Sequence, residues 1–144
     1  DLPDLIGDKQ LEILSVDDSQ TARRQIISTV ENLGLNVNVI TANDGLKGLT
    51  MLRDWAEEGI DVNEKLLMVI TDAEMPEMDG YRMTYEIRKD PKLKDLHVVM
   101  HTSLSGSFNE AMVEKVGCNG FLSKFRPDEL AILIQARIRE LYEK

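Results

Sequence analysis

"LLMVITDAEMPEMDG", residues 66–80, is the stretch that decides the fold. The run at residues 66–71 is apolar almost throughout and lacks the alternation with polar residues that a half-exposed strand shows. Such a run predicts a central strand of a parallel sheet, because a strand in that position is buried on both faces. The run ends on Asp72, and Pro76 and Gly80 shape the loop beyond it. A buried strand therefore carries a carboxylate to the edge of the predicted sheet.

Short apolar runs alternate with amphipathic segments along the rest of the chain. The other strand candidates are residues 11–16, 37–41, 97–102 and 120–123. Helical spacing of apolar side chains predicts a helix after each strand, at residues 20–33, 44–58, 81–89, 108–116 and 127–143. Residues 53–65 are interpreted as the end of a longer helix plus a surface loop. Five strand–helix units predict an α/β fold, a doubly wound five-stranded parallel sheet with helices on both faces.

The composition is typical of a single soluble globular domain, with 42% hydrophobic and 30% charged residues. The formal net charge of -9 argues against binding to nucleic acid and suits cations or basic partner surfaces. No apolar run is long enough to cross a bilayer, so we expect no membrane insertion. Cys118 is the only cysteine, which excludes a disulfide within the chain and fits a cytoplasmic location.

Residues 1–10 are predicted to be a linker. The segment "DLPDLIGDKQ" begins with aspartate and places Pro3 and Gly7 among polar residues. We expect it to be the end of a connection from an upstream part of a longer protein, and residues 11–144 to form the folded domain.

Chemically active side chains follow four of the predicted strands. Asp17 and Asp18 follow the first strand, Asp72 the third, Thr102 ends the fourth and Lys124 follows the fifth. Right-handed crossovers bring the carboxyl ends of parallel strands to one edge, where ligands of such sheets bind. Clustered carboxylates repel unless a cation joins them, and oxygen ligands of this kind suit Mg²⁺. A carboxylate can also act as a nucleophile and form an aspartyl phosphate.

With these positions in place, the sequence resembles the receiver domains of two-component response regulators over residues 11–142. The matching motifs are the Asp17–Asp18 pair, "NDG" at residues 43–45, "DAEMPEMDG" at 72–80, "VVMHTS" at 98–103 and "GFLSK" at 120–124. The resemblance implies a flavodoxin-like receiver fold with strand order 2-1-3-4-5. It also implies a signalling module that takes a phosphoryl group from a histidine kinase, and no enzyme activity beyond its own phosphorylation and dephosphorylation.

The resemblance assigns metal ligands and the phosphoacceptor. Asp72 matches the phosphoacceptor, and Asp18 matches a direct ligand of Mg²⁺. Asp17 is expected to contact either the metal ion itself or a water molecule bound to it. The backbone carbonyl of Glu74 stands where the family supplies another ligand.

Three more residues match switching positions of the family. Thr102 matches the hydroxyl that moves toward the phosphate, and Lys124 matches the lysine that pairs with it. Phe121 occupies the position of the switching aromatic residue. Phe125 follows Lys124 where the family usually has proline. We expect no cis bond there, because a cis bond before a non-proline residue costs about 3–4 kcal/mol.

Residues 101–112 and 115–125 resemble more narrowly the receiver half of CheV-type chemotaxis coupling proteins. This resemblance implies a CheA-like chemotaxis kinase as phosphodonor and a CheW-like domain upstream. A phosphate sink without output remains an alternative. An aspartyl-nucleophile hydrolase is a second, although Glu74 stands where such enzymes have an aspartate. A flavin or nucleotide binder is a third, although "DDSQT" at residues 17–21 places negative charge where phosphate would bind.

Overall fold

The computed structural model describes residues 1–103, 110–124 and 126–143. Its five strands form one parallel sheet in the order β2-β1-β3-β4-β5, which confirms the predicted fold and strand order. The strands are β1 (Leu11–Val16), β2 (Val37–Ala42), β3 (Leu66–Thr71), β4 (Val98–Thr102) and β5 (Gly120–Ser123). Every residue of β3 is buried, as predicted for the central strand.

The described residues form seven helices around this sheet. They are α1 (Leu2–Ile6), α2 (Gln20–Asn32), α3 (Gly45–Glu57), α4 (Val62–Lys65), α5 (Gly80–Lys89), α6 (Glu110–Val116) and α7 (Pro127–Tyr142). The five predicted helices correspond to α2, α3, α5, α6 and α7. The predicted start of the fourth helix, at residue 108, lies outside the described residues, as does Phe125 with its preceding peptide bond.

Two short helices were not predicted. In α4, the side chain of Asp61 accepts hydrogen bonds from the amides of Asn63 and Glu64, which starts a helix where a loop was expected. In α1, Asp1 caps the first turn, and Leu2 and Ile6 are buried. That residues 1–10 join an upstream part stays a prediction, although this segment is itself folded.

The helix α1 belongs to the hydrophobic core. Leu2 and Ile6 lie in one buried cluster with Ile134 and Ile138 of α7. Beyond the helix, the ammonium of Lys9 lies 5.1 Å from the centroid of the Tyr142 ring. The chain therefore reaches β1 along the surface of α7 rather than through a free connection.

Each face of the sheet packs against its own helices. Ile13 of β1 and Ile70 of β3 lie in the cluster that includes α2 and α7. Leu14 and Val69, which adjoin Ile13 and Ile70 on these strands, lie in a second cluster with Ile87 of α5. Successive strand residues point to opposite faces, so the apolar third strand serves both clusters.

Two glycines let the loop after β3 lie against the sheet edge. The amide of Gly45 donates to the carbonyl of Met78 over 3.0 Å, and that of Gly80 donates to the carbonyl of Ala73 over 2.9 Å. A Cβ at Gly80 would overlap the carbonyl oxygen of Asp72, and one at Gly45 would overlap that of Met78. Both positions therefore need glycine for close packing.

At the edge of the sheet where the strands begin, Arg88 holds three segments together. Its Nε donates to the carbonyl of Gly117 over 2.8 Å, and Nη2 donates to Oδ1 of Asn119 over 2.9 Å. Nη1 donates to the carbonyls of Lys94 and Leu96 over 2.8 and 2.6 Å. The end of α5, the loop before β4 and the turn after α6 are thereby held to one guanidinium.

Gly80→Ala is expected to lower the free energy of unfolding by about 1–3 kcal/mol, because the added methyl group must displace the backbone of Asp72. Gly120→Ala is the matched control, since a Cβ there meets no atom within 4 Å. Urea unfolding of both variants measures the difference. Equal stability of the two variants would contradict the close approach at Gly80.

Candidate functional site

The backbone ladder of the sheet fixes the residues that follow the strands. The amide of Asp72 donates to the carbonyl of Val16 over 2.9 Å, and that of Lys124 donates to the carbonyl of Thr102 over 2.9 Å. The amide of Asp17 donates to the carbonyl of Ala42 over 3.0 Å. These residues therefore continue the sheet by one step, and their side chains have little freedom to move apart.

Three of the predicted carboxylates meet at this edge. One carboxylate oxygen from each of Asp17, Asp18 and Asp72 lies within 4.8 Å of the other two. Asp17 is 1% exposed and Asp72 is 8% exposed, whereas Asp18 is exposed to solvent. The cluster therefore has two acids inside the protein and one at the opening.

Each buried acid has one oxygen bound to the backbone. Oδ1 of Asp17 accepts a hydrogen bond from the amide of Ser19 over 2.9 Å. Oδ1 of Asp72 accepts one from the amide of Ala73 over 2.8 Å. In both residues the second oxygen, Oδ2, is left to face the centre of the cluster.

Lys124 brings the opposing charge. Its Nζ lies 2.9 Å from Oδ2 of Asp17 and 3.2 Å from Oδ2 of Asp72. Oδ2 of Asp17 is buried and has this ion pair but no hydrogen bond of good geometry. The two carboxylates thus share one ammonium. Among the described residues, no other cation forms an ion pair with either of them.

The shared cation does not fully compensate the acids. Burial raises the pKa of Asp72 and the charge of Asp17 raises it further, while Lys124 opposes both effects. Burial works to lower the pKa of Lys124, but its close ion pairs with Asp17 and Asp72 raise it overall. The site therefore keeps an excess of negative charge.

The donor set fits Mg²⁺. Three carboxylates offer hard oxygen atoms, one of them exposed and able to admit a hydrated ion. No other group of histidine, cysteine or acidic residues with this spacing occurs in the part of the chain that the structure describes. Glu74 lies exposed on the loop beyond Asp72, and the role of its carbonyl stays a prediction.

The predicted switch residues lie on the strands beside the cluster. Thr102 is buried at the end of β4 and pairs with Ser123 of β5. Phe121 pairs with Met100 and is 37% exposed, so it lies at the protein surface.

His101 was expected to be packed or exposed rather than catalytic. It is buried, and burial together with the charge of Lys124 lowers its pKa to about 4.

Arg23 was not among the predicted site residues. Its Nη1 donates to the backbone carbonyl of Asp17 over 2.6 Å, which braces the acidic turn from the first turns of α2. Ser19 was missed as well, and its hydroxyl caps α2 by accepting from the amide of Ala22. A serine directly before the helix is a recognisable N-cap signal. An arginine on a helix surface carries no such signal.

Comparison with known proteins identifies the family. The family model of the response regulator receiver domain matches residues 13–135. This chain is a response regulator receiver domain. Of the curated relatives, the Helicobacter pylori chemotaxis protein CheV3 is 32% identical over 115 residues, which are 79% of this chain and 36% of CheV3. CheY1 of the same organism is 33% identical over 121 residues, 83% of this chain and 90% of CheY1.

The fold agrees with solved receivers. The structure of the Vibrio cholerae chemotaxis response regulator CheY4 superposes with a TM-score of 0.71 and 26% identity, over 90% of this chain and 99% of that chain. Receiver domains of this kind are signalling domains rather than enzymes, and the comparisons give no support to a hydrolase or to a phosphate sink. Within the described residues, no helix has the length and apolar character needed to span a bilayer.

Asp72→Asn is expected to raise the free energy of unfolding at about pH 7 in EDTA, and the gain should shrink as the pH falls toward about 4. The folded-state pKa of Asp72 lies above its ordinary value of 3.8, so the wild type loses stability as the pH rises from that value through the folded-state pKa. Asparagine has no such proton to lose. Urea unfolding over a pH series measures the difference.

Lys124→Met serves as the opposite variant for the same experiment. It leaves Asp17 and Asp72 without their shared cation, so its loss of stability should grow as the pH rises. For either variant, a change in the free energy of unfolding that is the same at both ends of the pH range would contradict this account of the charges.

Proposed function

We propose that this receiver accepts a phosphoryl group on Asp72 from a histidine kinase, with Mg²⁺ bound to the acidic cluster. The observation that supports it most directly is the convergence of Asp17, Asp18 and Asp72 within 4.8 Å beside the ammonium of Lys124. A carboxylate that faces a cation site has the surroundings that phosphoryl transfer needs.

In the proposed transfer, Oδ2 of Asp72 is the attacking atom. Its other oxygen is held by the amide of Ala73, so the carboxylate cannot turn away. The bond from Oδ2 to phosphorus forms as the bond from phosphorus to the nitrogen of the donor's histidine breaks. Bound Mg²⁺ supplies positive charge for the oxygens of the moving group. Lys124 then pairs with the new phosphate through an ammonium that already lies 3.2 Å from Asp72.

We assign the metal to Asp17, Asp18, Asp72 and the backbone carbonyl of Glu74. A divalent ion held near Oδ2 of Asp17 would share that oxygen's negative charge with Lys124, whose Nζ lies 2.9 Å from it. The same ammonium lies 3.2 Å from Oδ2 of Asp72, so it would stand beside the oxygen that takes up the phosphoryl group.

Phosphorylation is tested by mass spectrometry after incubation with acetyl phosphate and Mg²⁺. The wild type should gain one phosphoryl group that hydroxylamine removes, and Asp72→Asn should gain none, because the amide is not a nucleophile here. Asp79→Asn is the matched control. Asp79 lies in the same loop but caps α5 by accepting from the amide of Arg82, and asparagine caps helices equally well.

Two results would contradict the assignment. One is a hydroxylamine-labile phosphoryl group on Asp72→Asn, which would place the acceptor elsewhere. The other is loss of phosphorylation in Asp79→Asn with an unchanged fold, which would show that the assay reports on the loop rather than on the carboxylate.

We further infer that phosphorylation changes the face formed by α6, β5 and α7. The phosphate adds negative charge and acceptor oxygens next to Thr102, whose hydroxyl would turn toward them. The space that it leaves lies beside Phe121 on the neighbouring strand, and this ring could rotate inward. Phenylalanine lacks the hydroxyl of the family's tyrosine, so its two positions should differ little in energy.

Amide chemical shifts with and without beryllofluoride and Mg²⁺ test this switch. We expect changes in α6, in β5 and in the first turns of α7, besides those around Asp18, Asp72 and Thr102. Thr102→Val tests the part that the hydroxyl plays in these shift changes, since it keeps the shape of the side chain but removes the hydroxyl. Changes confined to the cluster in the wild type would instead indicate a phosphate sink.

We place this receiver in chemotaxis signalling with a CheA-like kinase as phosphodonor. The support is similarity to CheV3 and CheY1, which are chemotaxis proteins. The chain spans only 36% of CheV3, so a CheW-like domain upstream is part of the proposal. The packing of α1 on α7 would hold such a domain against the helix that ends the output face.

A further inference from the structure

A groove of about 340 Å³ runs between α5 and α6, away from the acidic cluster. Its apolar surface comes from Tyr81, Tyr85, Met112 and Val116. Tyr85 is 48% exposed, so its ring is accessible to a partner. The volume is at the lower end of that of ligand sites, enough for one or two apolar side chains of a partner.

Cations border this apolar surface. Arg82 and Lys115 line the groove from its two helices. The guanidinium carbon of Arg82 lies 6.0 Å from the centroid of the Tyr85 ring, and Nζ of Lys89 lies 5.0 Å from it. The exposed ring is thus flanked by positive charge within a chain whose formal net charge is -9.

The acidic residues nearby do not cancel this charge. Glu86 lies 3.2 Å from Arg82, 3.3 Å from Arg53 and 3.8 Å from Lys89, so one carboxylate meets three cations. Asp79 also lines the groove, but its carboxylate caps the N-terminus of α5 over 2.7 Å. In and around the groove, two carboxylates therefore stand against the cations of Arg53, Arg82, Lys89 and Lys115, which leaves a local excess of positive charge.

We propose that this groove binds an acidic segment of a partner protein that inserts one or two large apolar side chains. The apolar surface provides the anchor site, and Arg82, Lys89 and Lys115 select acidic flanking residues. The net charge of -9 disfavours approach of an acidic segment in general, and the cations around the groove favour it there. The site is distinct from the α6–β5–α7 face of the proposed switch, although it shares α6 with that face.

The test is an array of acidic peptides of about nine residues, in which two anchor positions take every apolar residue in turn. The best binder is then titrated into the ¹⁵N-labelled full chain. We expect amide shifts in α5 and α6, weaker binding at higher salt, and no binding of the same peptide with lysine in place of its acidic residues. No phosphodonor is present in this experiment. Its result therefore does not depend on whether Asp72 is the phosphoacceptor.

Two variants separate the contributions. Arg82→Glu combined with Lys115→Glu should weaken binding about tenfold, and Tyr85→Ser should weaken it while leaving the charges in place. Arg24→Glu combined with Arg139→Glu is the control, because it makes the same charge change at exposed positions of α2 and α7. Amide spectra of each variant without peptide verify the fold.

Several outcomes would overturn the proposal. They are the absence of any binder below millimolar concentration, shifts confined to β5 and α7, and equal weakening by the control pair. Concentration-dependent broadening of α5 and α6 without peptide would overturn it too, because it would assign the groove to a second copy of this chain.

Discussion

The mutual repulsion of Asp17 and Asp72 is the constraint around which the sheet edge is organised. Both carboxylates are buried and directly follow the adjacent strands β1 and β3, so the ladder between these strands holds their backbones side by side. The chain relieves the repulsion with Lys124, which arrives from β5. A charge interaction therefore links the centre of the sheet to its far edge strand.

This link joins the acidic site to the strand that lies between α6 and α7. Lys124 directly follows β5, and β5 lies between α6 and α7 in the chain. Whatever changes the charge at Asp72 changes the force on Lys124, and through it on an edge strand that has only one neighbour. An edge strand held on one side yields more easily than the buried β3.

The sequence predicted the parts of the structure that depend on local pattern. The buried β3 and helix α7 follow from apolar spacing, and the convergence of Asp17, Asp18 and Asp72 follows from the rule that parallel strands end at one edge. The strand order required the family resemblance, because local patterns do not say which strands are neighbours.

Helix α1 and the contacts of Arg88 depend on residues that lie far apart in the sequence. Helix α1 forms only because α7 offers a surface for Leu2 and Ile6, and five residues would not form a stable helix alone. Arg23 and Arg88 look like ordinary surface arginines in the sequence, yet each donates to backbone carbonyls that become adjacent only in the fold.

Arg88 has a mechanical consequence for α6. The carbonyl of Gly117 and the side chain of Asn119 anchor the C-terminal end of this helix to Arg88. A tilt of the helix about Gly117, where φ is 89°, would therefore move its N-terminal end most. Seven residues span about 10 Å, so a tilt of about 10° would displace that end by about 2 Å. That displacement is as large as the helix shifts by which proteins commonly pass a signal between surfaces.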